Sequence, residues 1–379
     1  MVVNSQRRKI KVIISGGGTG GHIFPAVAIA NELKKACAEN EILFVGAEGR
    51  MEMEKVPAAG YTIIGLKIAG IQRRLDPKNL LLPFKVIGSV MKSRSIIRNF
   101  KPDAAVGVGG YASGPLLYAA TMMNIPSLIQ EQNSFAGVTN RILARRVDKI
   151  CVAYEGMTKY FPGNKIVMTG NPVRQEVIEI AGKKEEAMKY FGLDHSKKTL
   201  LVIGGSLGAR SINTAIRNGL KKFAGENIQL IWQTGKHFFP AAREAVKEYH
   251  GKGIYAHDFI SRMDLAYSCA DAVVSRAGAS SVSELELVAK PCVLVPSPNV
   301  AEDHQTKNAM ALVNKNAAIL VHDAAAGESL VDTAISLIND AERQKILSGH
   351  ISKLALGNAA GKIVEEIYNM ISGDGKVTN

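Results

Sequence analysis

Short runs of apolar residues alternate along this chain with stretches whose apolar positions recur every three or four residues. In the first half, the runs at 11–14, 42–45, 104–108, 127–130 and 149–152 predict strands, and the amphipathic stretches at 25–38 and 85–99 predict helices. Nearly continuous apolar strands alternating with helices imply a parallel, doubly wound sheet covered on both faces. The pattern pauses at 169–174, T-G-N-P-V-R, where glycine, asparagine and proline supply turn chemistry and a domain boundary. It then restarts, with strands at 200–203, 228–233, 254–257, 272–275, 292–295 and 318–321 and a helix at 210–219. A final amphipathic segment, 359–371, reads as helix, and 372–379 as a frayed end. The expectation is an α/β chain of two doubly wound parallel-sheet domains, divided near residue 170. Two βαβ halves are not a short-period solenoid.

Three glycine-rich loops follow strands. The first, 16–21, is G-G-G-T-G-G, with a helix expected to open near His22. The second is G-V-G-G-Y-A-S-G-P at 107–115, and the third G-G-S-L-G-A at 204–209. Loops so bare let backbone N–H groups close around a phosphate or a sugar at a helix N-terminus. Ligands of such sheets lie outside the carboxyl ends of the strands, so the domains are expected to face a central crevice. Gly16, Gly18 and Gly21 also satisfy the dinucleotide fingerprint. A nicotinamide-dependent dehydrogenase would use them with Glu48 as its acidic residue, but leaves the third loop and S-S-V-S-E at 280–284 unexplained.

Candidate chemistry clusters around these loops. Ser206 stands before a helix whose positive end can hold a departing diphosphate; a simple helix cap is the plainer role. Arg174 is a second cation, although arginines in turns are usually solvated. Glu284, on the opening turn of a helix after R-A-G-A-S-S-V-S, can accept two hydrogen bonds from a ribose diol or can offset the helix dipole. His22 and Glu131, the latter in Q-E-Q-N at 130–133, are rival general bases. Ser283, Glu284 and His22 suggest a hydrolase, but no G-x-S-x-G elbow is present. D-x-D and H-E-x-x-H are absent as well, so neither a metal nor a cofactor is expected.

Length and charge refine this. The chain has 379 residues, 46% hydrophobic, enough for two cores. It holds no 18-residue apolar run, and M-V-V-N-S-Q-R-R-K lacks a signal-peptide core. Cys37, Cys151, Cys269 and Cys292 form no zinc pattern and read as free thiols in a reducing cytoplasm. The net charge is +13, of which residues 1–170 carry +12, with 23 Lys and Arg against 11 Asp and Glu. That asymmetry points the first half at a polyanion: nucleic acid, an anionic membrane or a phosphorylated substrate. Residues 71–101 carry eight basic residues against Asp76 alone. There Leu80, Leu81, Leu82 and Phe84 lie among Arg73, Arg74, Lys78 and Lys85, a composition that suits either an anionic membrane surface or a core with a solvated face.

Taken in order, G-G-G-T-G-G-H-I-F-P-A, G-V-G-G-Y-A-S-G-P, Q-E-Q-N, T-G-N-P-V-R, G-G-S-L-G-A and R-A-G-A-S-S-V-S-E-L resemble the MurG family along most of the chain. The resemblance implies two Rossmann-like domains in a glycosyltransferase fold of the B type, with the C-terminal helix crossing back to the first domain. It implies inverting, metal-independent transfer of N-acetylglucosamine from its UDP donor to the 4-hydroxyl of undecaprenyl-linked N-acetylmuramoyl-pentapeptide. That step of peptidoglycan synthesis, lipid I to lipid II, takes place at the cytoplasmic face of the cell membrane. Thr19, Gly20, Gly21, Asn133 and Gln305 are thereby implied at the donor sugar, and Arg174 and Ser206 at the diphosphate. Ile260 is implied at the uracil through its backbone, and Ala279, Ser280, Ser281, Val282, Ser283 and Glu284 along the nucleotide. His22, Tyr111 and Glu131, with Gly18, Gly109 and Gly110, fall on the acceptor side. The implied partners are an anionic inner leaflet and proteins of cell-wall synthesis and division, not nucleic acid. Family members often carry several aromatic residues in the membrane patch; here Phe84 stands nearly alone, and the single tryptophan, Trp232, lies in the second half. A UDP-sugar epimerase and a non-catalytic sugar-nucleotide binder are the competing readings.

Overall fold

The computed structural model describes residues 7–68, 82–205 and 207–373. Its contacts divide the chain into two units: Met1–Val173 with Gly357–Asn379, and Arg174–Leu356. The first is built on seven parallel strands: β1 Lys11–Gly16, β2 Glu41–Ala47, β3 Thr62–Leu66, β4 Ala104–Gly109, β5 Ser127–Glu131, β6 Lys149–Val152 and β7 Ile166–Met168. They lie in the order β3-β2-β1-β4-β5-β6-β7. The strand order reverses between β1 and β4, where Ile13 pairs with Leu43 on one side and Ala105 on the other. The second unit has six parallel strands: β8 Lys198–Ile203, β9 Ile228–Gln233, β10 Ile254–His257, β11 Ala272–Ser275, β12 Cys292–Leu294 and β13 Ile319–Leu320. Their order, β10-β9-β8-β11-β12-β13, repeats the switch between β8 and β11.

Both faces of each sheet are covered, which is why the strands read as unbroken apolar runs. In β1, Val12 and Ile14 enter one core with Ile23, Ile29 and Leu33, while Ile13 enters the other with Ile97, Leu116 and Leu117. In β8, Leu200 and Val202 pack on one side and Leu201 and Ile203 on the other. The apolar runs did not predict β3 or β7. These are short outer strands, paired on one side only and half-exposed along much of their length, so the sequence shows no continuous apolar stretch there.

The final helix, Ala359–Ser372, belongs to the first unit. Ile363, Val364 and Ile367 are buried against Ile10, Ile29 and Leu33, a contribution of roughly 1.5–3 kcal/mol each. Asn40 ties this helix down: its amide donates to the Tyr368 hydroxyl at 3.0 Å and to the Leu33 carbonyl at 2.7 Å. Cys151, Cys269 and Cys292 are buried free thiols. Burial pushes Cys151 and Cys292 up to about 12, so they are inert near neutral pH.

Candidate active site

In the first unit, two glycine loops close on each other above β1 and β4. The Gly17 amide donates to the Gly109 carbonyl at 3.2 Å. Gly110 has φ +91°, and a Cβ there would lie 2.5 Å from the Gly17 oxygen. Glycine is therefore required both by backbone conformation and by contact. The helix after the first loop begins at Gly20, two residues before the expected His22, with Thr19 as its extended N-cap. His22 thus lies inside the first turn, and its Nδ1 lies 3.0 Å from the Gly17 carbonyl. A carbonyl can only accept, so Nδ1 carries the proton and Nε2 the lone pair. Burial lowers the His22 pKa; the Gly17 hydrogen bond and the charges of Glu131 and Glu52 oppose that shift. A neutral imidazole with a free Nε2 is the state a general base needs.

Glu131 ends β5 and is 2% exposed. Its Oε1 accepts from the Asn133 amide at 3.1 Å and the Asn133 side chain at 3.3 Å. Its Oε2 accepts from the Gly137 amide at 3.0 Å and Asn140 Nδ2 at 2.8 Å. These four bonds spend the carboxylate on shaping the loop before the helix Val138–Leu143. Tyr111, in the second loop, is exposed, with the guanidinium of Arg50 5.6 Å from its ring. Thr19 is exposed, while Gly18, Gly20, Gly21 and Asn133 are half-buried.

In the second unit, Ser206 lies outside the described residues, in the third glycine loop between Gly205 and Leu207. Gln233, 5% exposed at the end of β9, joins this loop to the next: its Nε2 donates to the Gly205 carbonyl at 3.2 Å, and its Oε1 accepts from the Ile260 amide at 2.8 Å. The Ile260 N–H is therefore already used, which leaves its carbonyl for a ligand. Helix Ala279–Val288 follows β11 directly, with Gly278 as its N-cap. Glu284 sits in the second turn of this helix, not its opening turn, so the helix-dipole role weakens. Its Oε2 accepts from the buried Tyr267 hydroxyl at 2.9 Å. Burial raises the Glu284 pKa, while the Tyr267 hydrogen bond and the charge of Arg174 hold it down. Ser280 Oγ, in the first turn, is buried with no partner among the described residues. Val282 and Ser283 are buried, while Ala279 lies at the helix start and Ser281 is half-buried. Gln305 Oε1 accepts from the Ser297 amide at 2.9 Å. Arg276 fastens the same end of the sheet, donating to the carbonyls of Val295 at 2.9 Å and Pro296 at 3.1 Å and pairing with Asp323.

Sequence motifs located the loops and Glu284. They missed Glu52, Gln233 and Tyr267, which lie outside the glycine motifs and reach them only through the fold. Of the expected membrane patch, Arg73, Arg74, Leu80 and Leu81 fall outside the described residues, as do the side chains of Leu82 and Phe84; Lys85 is exposed. No metal-binding cluster of His, Cys, Asp or Glu occurs among the described residues.

Two doubly wound sheets with glycine loops at the carboxyl ends of their strands are the architecture of a two-domain glycosyltransferase of the B type. Residues 12–152 match the glycosyltransferase family 28 N-terminal domain, and 199–356 its C-terminal domain. A relative from Parabacteroides distasonis is 57% identical over 96% of this chain and 99% of its own length. Another, from Phocaeicola vulgatus, is 57% identical over 95% and 96%. Both bear the name UDP-N-acetylglucosamine–N-acetylmuramyl-(pentapeptide) pyrophosphoryl-undecaprenol N-acetylglucosamine transferase. The crystal structure of Acinetobacter baumannii MurG superposes with a TM-score of 0.76 at 26% identity, covering 95% of this chain and 99% of that one. The chain belongs to glycosyltransferase family 28 and, within it, to the MurG family.

Proposed function

We infer that this enzyme transfers N-acetylglucosamine from UDP-N-acetylglucosamine to the 4-hydroxyl of a lipid-linked N-acetylmuramoyl-pentapeptide, with inversion at the anomeric carbon. The observation that carries this reading is 57% identity over 364 residues to a relative named for that transfer. The second unit takes the donor. Glu284 Oε1 accepts from the ribose diol while Tyr267 holds Oε2, and the Ile260 carbonyl meets the uracil. Ala279 to Ser283 run along the nucleotide, Arg174 and the Ser206 loop hold the diphosphate, and Gln305 contacts the sugar. On the first unit, Thr19, Gly20, Gly21 and Asn133 serve the donor sugar, and Gly18, Gly109, Gly110 and Tyr111 the acceptor. The acceptor oxygen attacks the anomeric carbon, His22 Nε2 takes its proton, and the bond to UDP breaks as the diphosphate accepts the electron pair. His22 is favoured over Glu131 because all of Glu131's described bonds are to loop-shaping donors, whereas His22 presents an unprotonated nitrogen.

The acceptor carries an undecaprenyl chain, so the first unit works at a membrane. No described helix is long and apolar enough to cross one. Attachment is by surface, at the cytoplasmic face where the donor is available, and proteins of cell-wall synthesis and division share that face. Support comes from three neighbouring helices, Leu82–Phe100, Ser113–Met122 and Val138–Leu143, which expose Ile87, Met91, Met122 and Ile142. Lys85, Lys92 and Arg141 are exposed on the first and third of these, and Arg145 and Arg146 just beyond. Incubation with radiolabelled UDP-N-acetylglucosamine and lipid I should yield labelled lipid on extraction. Binding of the donor with no labelled lipid would leave a non-catalytic binder, and an epimer formed without acceptor would make it an epimerase.

A further inference from the structure

Beneath the first glycine loop lies a carboxylate to which the chemistry above gives no part. Glu52 opens the helix Glu52–Ala58 and is 1% exposed. Its Oε2 accepts from the Gly18 amide at 2.8 Å and its Oε1 from the Ala47 amide at 3.0 Å. The loop rests directly on it: a Cβ on Gly17 would lie 2.4 Å from the Glu52 carboxyl carbon, and a Cβ on Gly46 2.6 Å from its Cγ. Two of the chain's glycines are thus cut to the shape of this one side chain. Glu52 forms no ion pair among the described residues; the partners its carboxyl oxygens have there are the two backbone amides. The two amides bond different oxygens, so a carboxylate serves both where a side-chain amide, with one acceptor oxygen, would not.

The Gly17–Gly18 peptide that Glu52 grips is also the one that orients His22. The Gly18 amide points down to Oε2, and the Gly17 carbonyl accepts from His22 Nδ1 at 3.0 Å. The Gly17 amide is meanwhile pinned to the Gly109 carbonyl at 3.2 Å. Rotating this peptide would release His22 from its tautomer and turn Nε2 away. We propose that Glu52 is a positioning residue for the transfer: it locks the Gly17–Gly18 peptide so that the Gly17 carbonyl keeps His22 Nε2 unprotonated and aimed at the acceptor hydroxyl. The inference rests on the reading of His22 as the base. The charged groups acting on His22 are Glu52 from its helix and Glu131 from the end of β5, and both favour the imidazolium.

Glu52→Gln tests this, because the amide has one acceptor oxygen for two N–H donors and carries no charge. Transfer to lipid I should show a kcat lowered about 10- to 100-fold, the scale of a misplaced reacting group, with the affinity for UDP itself, which the second unit holds, unchanged. The acid limb of the kcat–pH profile should move to lower pH, since a charge favouring the imidazolium is gone. Glu52→Asp keeps the charge but falls short of the loop, so it should lower kcat and leave the acid limb near its wild-type position. If either variant lowers only the thermal midpoint, with kcat and acid limb at wild-type values, the carboxylate is structural and the proposal falls. His22→Ala separates the two readings. Wild-type single-turnover rates in His22→Ala would overturn the base assignment itself, whereas an inactive His22→Ala beside a fully active Glu52→Gln would overturn only the role of Glu52.

Discussion

At the residue scale, the proposed donor site turns on one oxygen of Glu284. Its Oε2 is occupied by Tyr267 at 2.9 Å, so Oε1 is the atom left for a diol. Glu284→Ala should weaken UDP binding by roughly 1–3 kcal/mol, the scale of a lost hydrogen bond to a charged group. Unchanged affinity in calorimetry would remove Glu284 from the site. The pH dependence has a definite sign. Only the carboxylate accepts two bonds from the diol, and burial raises the Glu284 pKa. Donor affinity should therefore fall as pH drops, beginning at a higher pH than an ordinary carboxylate would give. Tyr267→Phe removes a hydrogen bond that stabilises the charged form, so the fall should move to still higher pH. Titrating UDP affinity of wild type and variant between about pH 5 and 8 decides it; superimposable curves would sink the Tyr267–Glu284 pairing. His22 behaves the opposite way. Its lowered pKa keeps the neutral form in place, so the acid limb of kcat should lie below the usual histidine value of about 6.5.

At the scale of the element, what matters is how a loop is held between a strand and a helix. Gly110 and Gly49 both have positive φ, +91° and +70°. A Cβ on Gly49 meets nothing within 4 Å, whereas on Gly110 it meets the Gly17 backbone at 2.5 Å. Gly49→Ala should cost only the conformational penalty, on the order of 1 kcal/mol. Gly110→Ala adds the displacement of the first loop, and should cost about 2–4 kcal/mol with a collapse of kcat. Urea midpoints that fall equally in both would show that the two loops do not depend on each other. The comparison also marks how far sequence could reach. Strand, glycine loop and helix were legible because an apolar run followed by bare glycine is a local pattern. The same holds for β8, β9, β11 and β12 in the second unit, which are buried along their length, and the outer strands β10 and β13 were legible from the apolar residues of the 254–257 and 318–321 stretches. The edge strands β3 and β7 were not legible: both are half-exposed along much of their length, and in Thr62–Leu66 and Ile166–Met168 no apolar run stood out from the residues around it. Glu52, Gln233 and Tyr267 stayed hidden for another reason: each acts on a motif 17 to 34 positions away through a hydrogen bond that only the folded chain makes.

For the whole molecule, the uneven charge is the feature that joins fold to location. The excess of +12 lies in residues 1–170, and Ile87, Met91, Met122 and Ile142 are exposed, with arginines and lysines, on the helices that cover one face of the first unit's sheet. Apolar contact alone is weak for scattered side chains, and charge alone is screened within about 10 Å at 0.1 M salt. Together they predict a surface that should adsorb to anionic lipid and release in salt. Ile142, 70% exposed, and Met91, 66% exposed, bury little in the fold, so Ile142→Glu with Met91→Glu should leave the unfolding free energy within about 1 kcal/mol of wild type. The same pair changes the net charge of the patch by two negative units and should release the protein from vesicles rich in phosphatidylglycerol. Turnover should then fall with lipid I in bilayers but persist with a short-chain, water-soluble acceptor, because His22, Glu284 and the glycine loops are untouched. Equal loss on both acceptors would place the damage in the site, and vesicle binding that survives the double substitution would move the docking surface elsewhere on the unit.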